Sequence, residues 1–165
     1  MSKKIFILTL FLFCALNNYS QTLVSTEPTL KTVVLENFTG INCSNCPDGH
    51  AIAESIRAAN PDRVIIVGVH QGSYATPSTG QPDFRTSFGN SLANQAKLTG
   101  YPAGTVNRHI FSAYAMNNGT AMSRGAWSAA SNQMLLQSSP VNVGVKSVFD
   151  PATRLLTVDV EAFYT

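Results

Sequence analysis

Two cysteines separated by two residues are the part of this sequence most able to do chemistry. Cys43 and Cys46 lie in a polar run that ends at Pro47, after an apolar segment and before one with helical spacing. Thiols at this spacing can close a disulfide within one helical turn. A cysteine at a helix amino terminus also faces unpaired N–H groups and the positive end of the helix dipole, which favour the thiolate. The pattern predicts a redox-active dithiol in which Cys43 attacks and Cys46 resolves the mixed disulfide.

The first twenty residues have the composition of a secretory signal peptide. Lys3 and Lys4 precede an apolar run over residues 5–16, and a short polar end follows. We expect cleavage near Ser20, which would remove the third cysteine, Cys14, and we therefore expect an exported protein. Lipid modification of Cys14 is an alternative, but a bulky residue precedes this cysteine where lipoprotein signals have a small one.

The mature chain differs in charge and cysteine content from the whole sequence. Removing residues 1–20 takes away two lysines and no acid, which leaves nine basic and nine acidic residues. Zero net charge without a basic run disfavours nucleic-acid binding, and no later apolar run approaches the ~18 residues of a spanning helix. The remaining cysteine pair closes too small a loop to be an effective staple, which favours a redox role.

Apolar patterning predicts an alternation of strands and helices. Residues 33–38 and 64–69 have the continuous apolar content of buried parallel strands, and the helical segment between them, which Pro61 ends, makes a βαβ unit. After an irregular loop over 70–83, the remaining periodic segments predict a helix over 83–97, a strand over 103–107 and a helix over 123–137 with Ser123 as its N-cap. Three aromatic residues are expected in the core: Phe84, Phe88 and Trp127.

The tail of the sequence predicts a β-hairpin. Apolar and polar residues alternate over 141–164, around the turn Asp150-Pro151-Ala152-Thr153. An isolated hairpin is marginal in water, so we expect the start of a truncated, β-rich, sandwich-like domain. The predicted organisation is a signal peptide over 1–20, a linker over 21–30, an α/β domain over 31–138 and the β-rich part over 139–165.

Several stretches together resemble the twenty-eight-kilodalton outer-membrane protein family of Bacteroidetes. They are residues 34–40, 43–47, 68–70 and 100–108, and the last of these, from Gly-Tyr-Pro to Asn-Arg, is the most specific. The resemblance covers roughly residues 31–164. It implies a thioredoxin-like fold, with a central mixed sheet flanked by helices, followed by a β-rich part, and export to the periplasm or outer membrane.

The resemblance also assigns roles near the dithiol. In thioredoxin-like folds a cis proline begins the strand beside the dithiol and holds the substrate chain. This implies a cis bond between Tyr101 and Pro102 and places both residues at the substrate site, with Pro102 also assigned to the catalytic residues together with Cys43 and Cys46. Asn42 is a departure, because many thioredoxin-like sites carry a tryptophan directly before the first cysteine.

Three functions fit these observations. The leading one is thiol-disulfide exchange through Cys43 and Cys46, with protein thiols and disulfides as substrates and no cofactor. The second is a non-catalytic surface protein with a static disulfide. The third is a copper chaperone in which the dithiol acts with His50 or His70. These histidines are more simply a surface helix residue and a loop residue, so no metal site is predicted.

Overall fold

The computed structural model of the chain describes residues 23–165 and divides them into two compact units. The larger unit comprises residues 30–138 and contains both cysteines of the dithiol. The smaller unit comprises residues 23–29 together with 139–165. The predicted signal peptide, its cleavage site and Cys14 lie outside the described residues.

The larger unit alternates strands and helices along the chain. Its elements are β1 (Val33–Thr39), α1 (Cys46–Ala59), β2 (Val64–His70), α2 (Ser87–Ala96), β3 (Ala103–Val106), β4 (Met122–Ser123) and α3 (Trp127–Leu135). The strands form one mixed sheet in the order β2-β1-β3-β4, in which β1 and β2 are parallel and the other pairs are antiparallel. The α/β class, the mixed sheet and the predicted βαβ unit are confirmed.

Local sequence accounts for both ends of α1. Asn45 precedes the helix, and Pro47 lies in its first turn, where a backbone nitrogen needs no intrahelical partner. At the other end, the side-chain amide of Asn60 donates to the carbonyl of Ile56 at 2.9 Å. This bond satisfies a carbonyl of the last turn that has no partner within the helix.

Helices pack on both faces of the sheet. One core joins β1 and β2 to α1 and α3, and its largest members include Val33, Leu35, Ile56, Val106, Met122, Trp127 and Met134. The other core joins the carboxyl ends of β1 and β2 to α2 and consists of Phe38, Val69, Ala93, Ala96 and Ala121. Trp127 is fully buried, as the sequence predicts.

Strand β2 is less buried than its composition predicts. It lies at an edge of the sheet, where Ile65 and Val67 are exposed and Val34 of the neighbouring strand is partly so. Helix α2 has only ten residues and packs on this face at Phe38 and Val69, near the carboxyl ends of the strands. Ile65 and Val67 of β2 stay open on this face, so the prediction of a buried strand is wrong on this side.

Helix α2 begins four residues later than predicted. The Thr86 hydroxyl accepts a hydrogen bond from the N–H of Gly89 at 3.2 Å, and this N-cap leaves residues 83–86 irregular. Phe84 and Phe88 are 56% and 77% exposed, so the expectation that they lie in the core is wrong. The helix contacts the sheet through alanines instead, which lets it lie close to the strands.

The last helix of this unit also begins later than predicted. Ser123 belongs to β4 and is followed by a 3₁₀ turn at Arg124–Ala126, so it is not the N-cap of α3. The α-helix itself starts at Trp127. A strand of two residues is too short to produce an alternating pattern, and the sequence therefore gives no sign of β4.

The smaller unit contains the predicted hairpin. Strands β5 (Val141–Asp150) and β6 (Leu155–Tyr164) pair antiparallel over their full lengths. The Asp150 carboxylate accepts bonds from the Thr153 hydroxyl at 2.7 Å and from the N–H of Ala152 at 2.9 Å. These bonds, the Thr153 hydroxyl first, lower the pKa of Asp150 and fix the turn.

Residues 23–29, where the sequence predicts a linker, bind to the hairpin. The side-chain amide of Asn142 donates to the carbonyls of Ser25 at 2.8 Å and Glu27 at 2.7 Å, and its oxygen accepts from the Thr29 hydroxyl. Asn142 is buried, so these bonds satisfy its polar atoms away from water. This segment therefore belongs to the hairpin unit.

Candidate dithiol site

Cys43 and Cys46 form a disulfide at the amino end of α1, with their Cα atoms 5.4 Å apart. Cys46 is the first residue of the helix, and its N–H donates to the carbonyl of Cys43 at 3.2 Å. The N–H of Cys43 in turn donates to the carbonyl of Gly40 at 3.1 Å. Cys43 is 7% exposed and Cys46 is 2% exposed, so Cys43 is the more accessible of the two sulfur-bearing residues.

Pro102 lies beside the first turn of the dithiol helix. The bond between Tyr101 and Pro102 is cis, as the sequence predicts, and β3 begins directly after it. A Cβ atom added at Gly49 would lie 3.0 Å from Cβ of Pro102, which shows how closely the proline approaches α1. The role of Pro102 in holding a substrate chain stays a prediction.

Tyr101 is fixed at its phenol end by Gln71. The amide of buried Gln71 donates to the Tyr101 oxygen, and the Tyr101 hydroxyl donates to the backbone carbonyl of Gln71 at 3.3 Å. Burial raises the pKa of Tyr101 and outweighs the opposing Gln71 bond, so the phenol is neutral at physiological pH. Gly72 has a φ of 72°, and a side chain there would also collide with the phenol oxygen.

An open groove of about 340 Å³ joins the dithiol loop to the loop that carries Tyr101. It is lined by Cys43, Ser44, Asn45, Tyr74, Thr99, Gly100 and Tyr101. Two predicted site residues, Cys43 and Tyr101, are therefore brought together. Tyr74 was missed by the sequence analysis, although its place in a loop just after the carboxyl end of β2 is where sites gather in open α/β sheets.

The two candidate histidines have other contacts. His50 is exposed on α1, and its Nε2 lies 3.0 Å from the Thr39 hydroxyl. His70 ends β2 and packs its ring against Phe84, with the centroids 5.2 Å apart. Within residues 23–165, no three histidine, cysteine or acidic side chains are grouped so as to hold a metal ion.

A buried carboxylate on β1 is the other polar feature that the sequence analysis did not identify. Glu36 is 7% exposed; Arg108 donates from Nε to both of its oxygens at 3.0 Å, and the Thr105 hydroxyl donates at 2.7 Å. Burial acts to raise the pKa of Glu36, but these bonds and the Arg108 charge outweigh it and lower the pKa. Arg108 reaches Glu36 from the turn after β3, where its backbone has a positive φ of 47°.

We expect Glu36→Gln to lower the free energy of unfolding at pH 7 by about 1–2 kcal/mol, because a hydrogen bond to a charged group contributes about 1.5–3 kcal/mol and solvent screens the half-exposed Arg108. The folded-state pKa of Glu36 is lower than its ordinary value of 4.5, so the pair stabilises the fold above that pH. This contribution is lost as the pH falls through the lowered pKa, where Glu36 becomes protonated. The difference between wild type and variant should therefore shrink as the pH falls below 4.5, as measured by urea denaturation at decreasing pH.

Glu54→Gln is the matched control, because Glu54 forms an exposed ion pair with Arg57. Its effect should stay below about 1 kcal/mol at every pH. A Glu36→Gln difference that is independent of pH would contradict a stabilising charge at this position.

Comparison with known proteins gives one structural likeness. No family model matches the chain, and no curated protein matches it. The solved structure of HBP35 of Porphyromonas gingivalis has a TM-score of 0.49 and 21% sequence identity to the chain. The likeness covers 74% of this chain and 39% of that one, so the chain spans less than half the length of the solved protein.

Proposed function

We propose that the larger unit has a thioredoxin-like fold and exchanges disulfides with other proteins through Cys43 and Cys46. A parallel β1-α1-β2 unit followed by antiparallel β3 and β4 supports this fold. The observation that carries the function is the position of the disulfide. It lies at the start of a helix, next to a cis proline, with Cys43 in the wall of an open groove.

Exchange at this site needs no cofactor. When the dithiol is reduced, the Cys43 thiolate attacks one sulfur of a substrate disulfide, forms a mixed disulfide and releases the other sulfur as a thiolate. Cys46 then attacks Cys43, closes the internal disulfide and releases the second substrate thiolate. The substrate gains two electrons and the dithiol loses them. In the opposite direction, a substrate dithiol attacks the disulfide and becomes oxidised.

The proposed compartment is the periplasm or the outer membrane and cell surface. The signal-like composition of residues 1–20 and the family resemblance support export. In the described part of the chain, no helix is long and apolar enough to cross a membrane. Disulfide exchange suits an exported protein, because disulfides persist in oxidising compartments.

A second candidate function is a non-catalytic binding protein with a static disulfide. One face of the hairpin favours it, since Val143, Val145, Val158 and Val160 lie together there and are 47–65% exposed. Exposed apolar surface of this kind is typical of interaction sites. In that case the larger unit would serve as a scaffold and the hairpin would carry recognition.

Redox titration of the dithiol in glutathione buffers separates these functions. A midpoint potential of about −270 to −120 mV, the range of known exchange proteins, is expected if the dithiol cycles. A potential below about −300 mV would identify a structural disulfide and overturn the exchange function in favour of the binding protein. Mass spectrometry after alkylation of free thiols measures the reduced fraction directly.

A further inference from the structure

The groove beside Cys43 has a chemical character that the dithiol does not require. All of its lining residues are uncharged, and two of them are tyrosines. Tyr74 and Tyr101 meet edge to face, with ring centroids 5.4 Å apart and planes at 76°. Tyr101 is held by Gln71, whereas Tyr74 is 48% exposed and presents much of its ring to solvent.

The loop that carries Tyr74 is hydrogen-bonded to the loop that carries Cys43. The N–H of Asn42 donates to the carbonyl of Tyr74 at 2.9 Å, and the Asn42 side chain donates to the carbonyl of Thr76 at 2.7 Å. Gly40 adds close packing, because a Cβ atom there would collide with the Tyr74 backbone. Asn42 directly precedes Cys43, so these contacts hold the Tyr74 backbone next to the loop that carries the reactive cysteine.

We propose that Tyr74 determines the substrate specificity of the dithiol. With Tyr101 it binds uncharged polypeptide segments that carry an aromatic side chain next to the reacting cysteine. Asn42 is the positioning residue for Tyr74. The inference rests on the proposed exchange function and names its substrate class. Two rings in edge contact leave a face on which a third aromatic ring can pack, and the uncharged lining offers nothing to compensate a desolvated substrate charge.

The test isolates the first chemical step. In the reduced Cys46→Ser protein, the Cys43 thiolate attacks a peptide disulfide, forms a mixed disulfide and expels the other peptide as a thiolate, and the reaction stops there. The probes are two symmetric peptide disulfides of equal length, one with tyrosine and one with glutamate flanking the cysteine, and glutathione disulfide. Each rate constant is divided by that of the same disulfide with dithiothreitol, which removes intrinsic differences in reactivity.

The expected result is a normalised rate about three- to tenfold higher for the tyrosine peptide than for the glutamate peptide, the range set by one aromatic contact. Tyr74→Ala should lower this ratio toward one, because it removes the exposed ring of the groove. Tyr74→Phe, which keeps the ring, should retain the ratio. Asn42→Ala should lower it less than Tyr74→Ala, because the backbone bond to Tyr74 remains.

Tyr164→Ala is the matched control, since Tyr164 is an exposed tyrosine of the hairpin unit. It should leave every rate unchanged. A ratio near one in the parent protein, or a ratio that Tyr74→Ala does not change, would overturn the specificity while leaving exchange intact. No reaction with any of the three disulfides would overturn exchange itself and the specificity with it.

Discussion

Cys46→Ser is expected to stop exchange at a stable mixed disulfide on Cys43, whereas Cys43→Ser is expected to form none. Cys43 lies in the turn before α1 and in the wall of the open groove, while Cys46 is the first helical residue and the more buried of the two. A substrate disulfide therefore meets Cys43 first. Without Cys46, no neighbouring thiol is available to release the bound substrate.

Intact-protein mass spectrometry under non-reducing conditions measures the trapped species after incubation with a peptide disulfide. The double serine variant is the control for non-specific attachment. By the chain-entropy relation, the short disulfide loop contributes roughly 2 kcal/mol, a minor part of the 5–15 kcal/mol typical of a domain. The variants should therefore stay folded. Equal trapping by both single variants would remove the distinction between attacking and resolving thiol, and no trapping by either would indicate a structural disulfide.

Features set by local sequence could be predicted well. The dithiol lies at the start of α1 because Pro47 suits a first helical turn and apolar residues recur at helical spacing behind it. The hairpin follows from strict alternation around the turn that starts at Asp150. The cis bond before Pro102 was predicted from the resemblance to thioredoxin-like proteins, in which a cis proline begins the strand beside the dithiol.

Features set by the position of an element in the fold could not be predicted. The residues of β2 have the composition of a strand buried on both faces, but β2 lies at the edge of the sheet and the short helix α2 covers only its carboxyl end, at Val69. Phe84 and Phe88 are spaced as core residues of a helix would be. The Thr86 cap starts the helix after Phe84, and alanines face the sheet in place of Phe88.

In the candidate site, too, the local features could be predicted from the sequence and the long-range contacts could not. The two cysteines are neighbours in sequence, and their chemistry could be inferred from their spacing alone. The contact between Asn42 and the Tyr74 loop joins residues 34 positions apart, and no local pattern predicts it. Asn42 was therefore interpreted only as the absence of a tryptophan, whereas in the structure it positions an aromatic residue from another loop.

Trp127→Ala is expected to lower the free energy of unfolding by about 3–5 kcal/mol, the usual cost of emptying a large buried aromatic site. The indole is fully buried and occupies the space that two glycines leave open. A Cβ atom would lie 3.0 Å from it at Gly104 in β3 and 3.3 Å from it at Gly49 in α1. Its N–H also donates to the carbonyl of Met122 at 3.3 Å. The substitution therefore opens a cavity beneath the elements that hold the dithiol and Pro102.

Urea denaturation followed by circular dichroism measures this loss, because Trp127 is the single tryptophan and its fluorescence disappears with it. Phe88→Ala is the matched control: it also truncates an aromatic residue predicted to be in the core, but Phe88 is 77% exposed and should change stability by less than about 0.5 kcal/mol. If Trp127→Ala does not fold, Trp127→Phe should show a smaller loss in the same direction. Equal losses at both positions would contradict the difference in burial between the two rings. A loss of stability for Trp127→Ala alone would show that the dithiol helix depends mainly on the core between the sheet and helices α1 and α3.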